Sequence, residues 1–184
     1  QCEQQFDLKV LGEHNIYNAQ FVHYIAVKLL GCNEAEVLES MKNFKGLPHR
    51  LEHIGDVNGV AFYDDSISTI PEATISAIKS VPDVQTVLIG GMDRGINYDV
   101  LIRFIKENEQ YKFICMYDSG KRIYDAVGEC AQCHYVPDLE LAVSEAKQIT
   151  ESGKACALSP AAASYGNFKN FEERGEVFKQ YVSR

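Results

Sequence analysis

The sequence predicts an α/β fold: a Rossmann-like, mostly parallel sheet with helices on both faces and one antiparallel edge hairpin, preceded by a short helical segment. Three observations carry this. Short apolar runs rich in Val, Ile, Phe and Cys alternate with longer stretches of helical period, the pattern of a parallel sheet covered on both faces. Each run ends in a polar or glycine-rich turn that leads straight into a helix. One pair of runs is instead joined by Gly55-Asp56-Val57-Asn58-Gly59, whose Asn-Gly pair is hairpin chemistry.

Taken in order, Phe6 to Val10 alternates like the end of a strand. Asn15 is a candidate cap for a helix running to about Leu30, with Tyr17, Phe21, Ile25 and Leu29 as its apolar stripe and Gly31 as its stop. Asn33, with Glu36 three residues on, caps a second helix whose apolar face is Val37, Leu38, Met41 and Phe44. These two helices have little sheet to pack on, which marks residues 1–45 as part of another domain. Gly46-Leu47-Pro48 is the break, and residues 46–184 form the α/β domain. Its hairpin pairs 49–54 with 60–63. Further strands are expected near 86–89, 112–117, 134–136 and 155–158. Helices are expected near 71–80, 98–107, 120–127, 139–152 and 171–182, with Asn97, Ser119 and Asp138 as N-caps for three of them.

Composition excludes several functions. The 184 residues carry a formal net charge of −8, the opposite of a nucleic-acid footprint. No apolar run approaches the roughly 20 residues of a membrane span, and the polar, mixed-charge start is no signal peptide. A chain beginning at Gln1 suits a fragment as well as a processed protein. The six cysteines, Cys2, Cys32, Cys115, Cys130, Cys133 and Cys156, are expected to be reduced thiols of a cytoplasmic protein, because Cys115 and Cys156 lie inside strand runs. Cys130-Ala131-Gln132-Cys133-His134 has the spacing of a c-type haem attachment, but no export signal accompanies it. It also lacks the second Cys pair of a zinc site. Among the histidines, His14 and His49 are expected beside a site and His23 on a helix surface.

The chemistry concentrates where strands end, since ligands of open α/β sheets bind outside the carboxyl ends of the strands. Val60 to Tyr63 runs into Asp64-Asp65-Ser66-Ile67-Ser68-Thr69 before Pro71 opens a helix. Asp64 is read as solvated or structural. Gly90-Gly91-Met92-Asp93-Arg94-Gly95 follows a buried strand. It is either a tight turn with a solvated arginine or a seat for a carboxylate or phosphate on Arg94. Ser159 to Gly175 offers Ser159 and Ser164 as donors and Phe168 or Phe171 as walls. A blander reading has Phe171 in the core and Glu172, Glu173 and Arg174 on a solvated face. No Gly-x-x-x-x-Gly-Lys-[Ser/Thr] loop occurs, so the chain alone cannot hold a triphosphate in that manner.

As a set, five ordered blocks resemble the Mur ligase family. Gly12-Glu13-His14-Asn15-Ile16-Tyr17-Asn18 is similar to its Gly-x-His-Asn-x-x-Asn segment, and Gly46-Leu47-Pro48-His49-Arg50-Leu51-Glu52 to its interdomain junction. Asp65-Ser66-Ile67-Ser68-Thr69 with Ala73-Thr74 resembles a third block, with Ile67 where the family has Lys. Gly90 to Gly95 and Ser159 to Gly175 match the remaining two, with Arg94 where Lys is common.

The resemblance implies the C-terminal part of an ATP-dependent, amide-bond-forming ligase of peptidoglycan synthesis. Residues 1–45 would end the central ATPase domain and 46–184 would be the C-terminal domain. It implies a cytoplasmic monomer without nucleic-acid or membrane partners, inactive as an isolated piece. It further implies ATP with Mg2+, the magnesium ligands lying outside this chain, and UDP-N-acetylmuramoyl-L-alanine and D-glutamate as substrates. Asn15 and Asn18 would meet adenine, Arg50 the phosphates and Asp65 the ribose. Thr69, Arg94, Ser164, Tyr165 and Phe171 would form the D-glutamate pocket. Alternatives are a related Mur ligase or folylpolyglutamate synthase using another amino acid, or a non-catalytic α/β binding module.

Overall fold

A computed structural model of the chain describes residues 6–128 and 130–184; Cys2 lies outside them. The chain divides into two compact units, Gln1–Leu47 and Pro48–Arg184.

The first unit holds α1 (Glu13–Tyr24), which runs on through a π-helical turn (Ile25–Leu29), and α2 (Glu34–Asn43). Residues 6–8 are irregular and 9–10 form a bend, rather than a strand. Gly12, not Asn15, caps α1. Asn15 lies inside the helix and its side-chain amide donates back to the Leu11 carbonyl at 2.7 Å. Asn33 caps α2 as expected, its side chain accepting from the Ala35 and Glu36 amides. The expected apolar stripe of α1 is not buried in this unit: Tyr17 is 62% exposed, Phe21 68% and Leu29 64%. Among the described residues of the unit, Ala19 and His23 are the buried ones. His23 is therefore not a surface residue. Its Nε2 lies 3.0 Å from Glu34 Oε1 and its ring 5.6 Å from that of Phe6.

The second unit is built on a six-stranded sheet in the order β1-β2-β6-β3-β4-β5. The strands are β1 (Glu52–Val57), β2 (Val60–Asp64), β3 (Val84–Ile89), β4 (Lys112–Met116), β5 (Cys133–Val136) and β6 (Ala155–Leu158). Only β1 runs antiparallel, paired with β2 at the sheet edge; the other pairings are parallel. Asn58 and Gly59 make the hairpin turn with φ of 54° and 81°, the left-handed pair of a type I′ turn. β1 starts at Glu52 rather than His49, because His49 and Leu51 take positive φ and turn the chain first.

Five helices cover the sheet: α3 (Pro71–Ser80), α4 (Asp99–Glu107), α5 (Tyr117–Val127), α6 (Leu139–Ile149) and α7 (Phe171–Ser183). Alternation along the strands feeds two cores. Leu88, Ile114 and Met116 point to the layer of α6 and α7, packing with Leu139, Val143 and Phe178. Val87, Ile89, Phe113 and Cys115 point to α3, α4 and α5, packing with Ile78, Leu101 and Ile123. Asp138 caps α6 through the Leu141 amide. Asn97 lies just outside the α4 cap position, which is Tyr98, and accepts from the Asp99 amide. Ser119 is not a cap. Tyr117, at φ 59°, turns β4 directly into α5, leaving Ser119 buried inside the helix with its hydroxyl on the Gly91 backbone.

Candidate functional site

The strand order reverses between β6 and β3. Chain following β2 proceeds to β3, β4 and β5, and then returns to insert β6 beside β2. A crevice outside the carboxyl ends at such a switch point is where this architecture binds ligands. Three loops converge there, 64–70, 90–95 and 159–170, and hydrogen bonds join them. The Gly90 amide donates to the Pro160 carbonyl at 2.7 Å and the Met92 amide to Ala163 at 2.8 Å. Asp65 N–H reaches the Leu158 carbonyl at 2.8 Å.

Beneath the loops lies a layer of buried polar groups. Arg174 has no exposed surface. Its Nε donates to Ser66 Oγ (2.9 Å), Nη2 to the Ser66 carbonyl (2.8 Å) and Nη1 to the Ala162 carbonyl (3.0 Å). One guanidinium thus ties the end of β2 to the loop after β6. Burial lowers its pKa to about 10, opposed chiefly by the charge of Asp64, so it stays charged at neutral pH. Its expected place on a solvated face is wrong. On α7 the buried positions are Arg174, Gly175, Phe178 and Val182, one helical face, and the arginine lies on it.

Asp64 is likewise fully buried rather than solvated. Oδ2 lies 2.7 Å from His49 Nδ1, and Oδ1 accepts from the Ser66 amide at 2.9 Å. Burial raises its pKa, with the His49 contact as the main opposing effect. Helix α7 passes close over this pair at Gly175, where a Cβ would stand 2.2 Å from His49 Nδ1 and 2.5 Å from Asp64 Oδ2. The edge of the Phe171 ring faces His49, and the Phe171 carbonyl accepts from Ser66 Oγ at 2.8 Å.

Asp65 also faces inward, accepting from Ser159 Oγ at 2.8 Å and from the Leu51 amide at 3.3 Å. Burial pushes its pKa up to about 6 against the hydrogen bonds of Ser68, Ser159 and Leu51. In this arrangement the carboxylate does not reach the surface. It fixes the turn that presents the exposed Arg50 between His49 and Leu51.

Of the expected amino-acid residues, Arg94 and Thr69 are in contact with each other. Arg94 is exposed and its Nη2 lies 3.4 Å from the Thr69 carbonyl, joining the loops after β2 and β3. The adjacent Asp93 is already engaged by Arg122 at 3.0 Å and by the Gly95 amide. Ser164 is buried next to the Met92–Ala163 bridge, and Tyr165 is exposed beside it. Thr69 and Phe171 are half-buried. Asn15 and Asn18 belong to the first unit. There they line a cavity of ≈ 360 Å³ with Val10, Ala19, Val22 and Met41, and Asn18 Nδ2 lies 3.4 Å from Asn15 Oδ1.

The sequence predicts His49 beside a site and Asp64 as solvated or structural; what it does not reveal is that the two pair and that Arg174 is buried on Ser66 beneath the loops. The 3–4 spacing of Phe171, Arg174, Gly175 and Phe178 was the available signal for Arg174. Among the described residues, one group brings three potential metal ligands together, His49, Glu52 and Asp64. It does not fit Mg2+, which demands octahedral oxygen ligands. Its imidazole is hydrogen-bonded to Asp64, and Glu52 is held by the His49 amide and Lys179.

No family model matches the chain. Its sequence is similar to curated proteins named UDP-N-acetylmuramoylalanine–D-glutamate ligase. That of Aquifex aeolicus is 38% identical over 177 residues, 96% of this chain and 42% of the relative. That of Geotalea uraniireducens is 36% identical over 174 residues, 95% of this chain and 38% of the relative. The chain therefore spans about two-fifths of the length of these relatives. Its fold resembles the UDP-N-acetylmuramate-alanine ligase of Thermotoga maritima, with a TM-score of 0.65 at 22% identity over 98% of this chain and 40% of that one. It also resembles the folylpolyglutamate synthase of Mycobacterium tuberculosis, with a TM-score of 0.68 at 13% identity over 95% of this chain and 41% of that one.

Proposed function

We propose that the chain is the C-terminal portion of the ligase that adds D-glutamate to UDP-N-acetylmuramoyl-L-alanine, a reading supported by its 36–38% identity to curated ligases named for that reaction. In this reading residues 1–45 end the central ATPase domain and 46–184 form the amino-acid-binding domain of a cytoplasmic enzyme. ATP phosphorylates the precursor carboxylate. The amino group of D-glutamate then attacks the acyl carbon and phosphate leaves. Asn15 and Asn18, lining the cavity of the first unit, take the adenine. Arg50 takes the phosphate side, with Asp65 holding its turn.

The work of the second unit is to bind two carboxylates and leave the amino group free. The observation that carries this is the meeting of Arg94 with Thr69 at the switch-point crevice. A guanidinium pairs bidentately with a carboxylate, and Ser164 offers a hydroxyl beside the adjoining bridge. Tyr165 and Phe171 would wall the ligand. Aligning the nucleophile in this way is worth a large share of a bimolecular barrier.

The test is ADP release by the full-length protein in the presence of ATP, Mg2+ and the UDP-linked precursor, with one amino acid supplied at a time. Release driven by D-glutamate and not by L-alanine, L-lysine or L-glutamate is expected. Release driven by another amino acid would move the assignment to a sister ligase. Ile67, where the family has Lys, is the position to examine first in that event.

A further inference from the structure

Three of the chain's cysteines come together at the edge of the sheet remote from the crevice. Cys130 and Cys133 are the first and last residues of the turn that feeds β5, closed by the Cys133 amide donating to the Cys130 carbonyl at 3.1 Å. Cys130 is half-buried and packs on the core cluster that contains Cys133 and Cys115. Cys133 is 4% exposed and Cys115 not at all. The two buried sulfurs lie 3.5 Å apart.

These three thiols are not equivalent. Residues at the ends of a β-turn have Cα atoms within about 7 Å, which overlaps the roughly 4.4–6.8 Å span of a disulfide. Cys115 and Cys133 instead stand diagonally across two strands: Cys133 pairs with Phe113, and Cys115 with Tyr135. With strands about 4.8 Å apart and two residues spanning about 6.6 Å along them, such diagonal Cα atoms stand roughly 8 Å apart, beyond the span of a disulfide, so bridging them would require the strands to move. Access is graded in the same sense, from Cys130 at the surface to Cys115 in the core.

We propose that Cys130 and Cys133 form a dithiol redox site, oxidised reversibly to an intramolecular disulfide by low-molecular-weight disulfides, with Cys115 as the positioning residue behind Cys133. The thiolate of Cys130 attacks one sulfur of the incoming disulfide and expels one thiolate, which takes up a proton. The Cys133 thiolate then attacks Cys130 Sγ in the mixed disulfide and expels the second. Two electrons and two protons pass from the protein to give two free thiols, and an excess of thiol runs the sequence backwards. Cys115 assists the second step as a hydrogen-bond donor. That contact draws the Cys133 thiol below its ordinary value and pushes Cys115 well above its own. The site is independent of the ligase reading, and its test does not involve ligase activity.

The experiment incubates the reduced full chain with oxidised glutathione, blocks remaining thiols by alkylation and maps the linkages by mass spectrometry. A Cys130–Cys133 disulfide that reduced glutathione reverses is expected. Cys133→Ser should accumulate glutathione on Cys130, whereas Cys130→Ser should leave Cys133 unmodified. Cys115→Ser should still form the disulfide, but with the mixed disulfide at Cys130 persisting several-fold longer. Cys133→Ala, checked by circular dichroism, guards against a folding defect in the serine variant. A Cys115–Cys133 linkage, glutathione remaining on Cys130 of the unmutated chain, or an unmodified turn would each overturn the proposal.

Discussion

Arg174 and Arg94 stand at the same end of the sheet, yet one has no exposed surface and the other is exposed. The hydrogen bonds of the Arg174 guanidinium are internal, to Ser66 and Ala162. Among the described residues, the side-chain hydrogen bond of Arg94 is to the Thr69 carbonyl, at the long distance of 3.4 Å. The same division separates the carboxylates of the buried layer, Asp64 and Asp65, from Arg50, Thr69 and Tyr165 outside it. Residues whose hydrogen-bonding capacity is filled from within shape the loops. Residues left with capacity at the mouth are the ones able to bind. The two layers should therefore respond differently to substitution.

The largest effect is expected at Arg174. Arg174→Ala leaves the Ser66 and Ala162 carbonyls without their donor and removes one of the basic groups near Asp64. Breaking a buried charged network of this kind costs about 3–5 kcal/mol, measurable by urea denaturation. A loss below about 1 kcal/mol would mean that the inner layer does not hold the loops.

Asp65 tests the same layer through pH. Burial lifts its folded pKa to about 6, above the 3.8 of an ordinary aspartate. Well below pH 4 the carboxyl is protonated in both states; between about pH 4 and 6 the unfolded chain ionises while the buried carboxyl keeps its proton, so stability falls, and above pH 6 both are ionised and the loss is complete. A shift of about two units corresponds to roughly 3 kcal/mol. The stability of Asp65→Asn relative to the unmutated chain should thus improve by about that amount between pH 4 and pH 7. A difference that stays constant with pH would contradict the burial of this carboxyl. Asp64, raised in the same direction, is common to both proteins.

Gly175→Ala places a methyl group against His49 and Asp64. Such overpacking costs about 1–3 kcal/mol, read as a lower melting temperature. An unchanged melting temperature would show that α7 has room to move away from the pair.

The sheet was legible because burial on two faces imposes its own alternation. Val87 and Ile89 enter one core and Leu88 the other, and no solvent face blurs the signal. Helix starts were less legible. Asn15 and Ser119 are good capping types, but caps are fixed by backbone geometry: Gly12 supplies it for α1, and the positive φ of Tyr117 supplies it for α5. The α1 stripe was read correctly as apolar, and Tyr17, Phe21 and Leu29 on it are exposed, since periodicity identifies a face without supplying what covers it. At the crevice, the loops and their mouth residues could be found from strand ends. The inner layer could not, because composition rules place Asp and Arg outside. Their burial depends on partners such as Ser66 and His49 that lie far away in sequence.

The most direct test of the division is Arg94→Ala in the full-length protein, assayed for the D-glutamate ligase activity proposed above. Losing a charge-assisted contact of about 1.5–3 kcal/mol should raise the KM for D-glutamate roughly 10- to 100-fold, with the KM for ATP and the melting temperature unchanged. An unchanged KM for D-glutamate, or a loss of stability like that of Arg174→Ala, would contradict it.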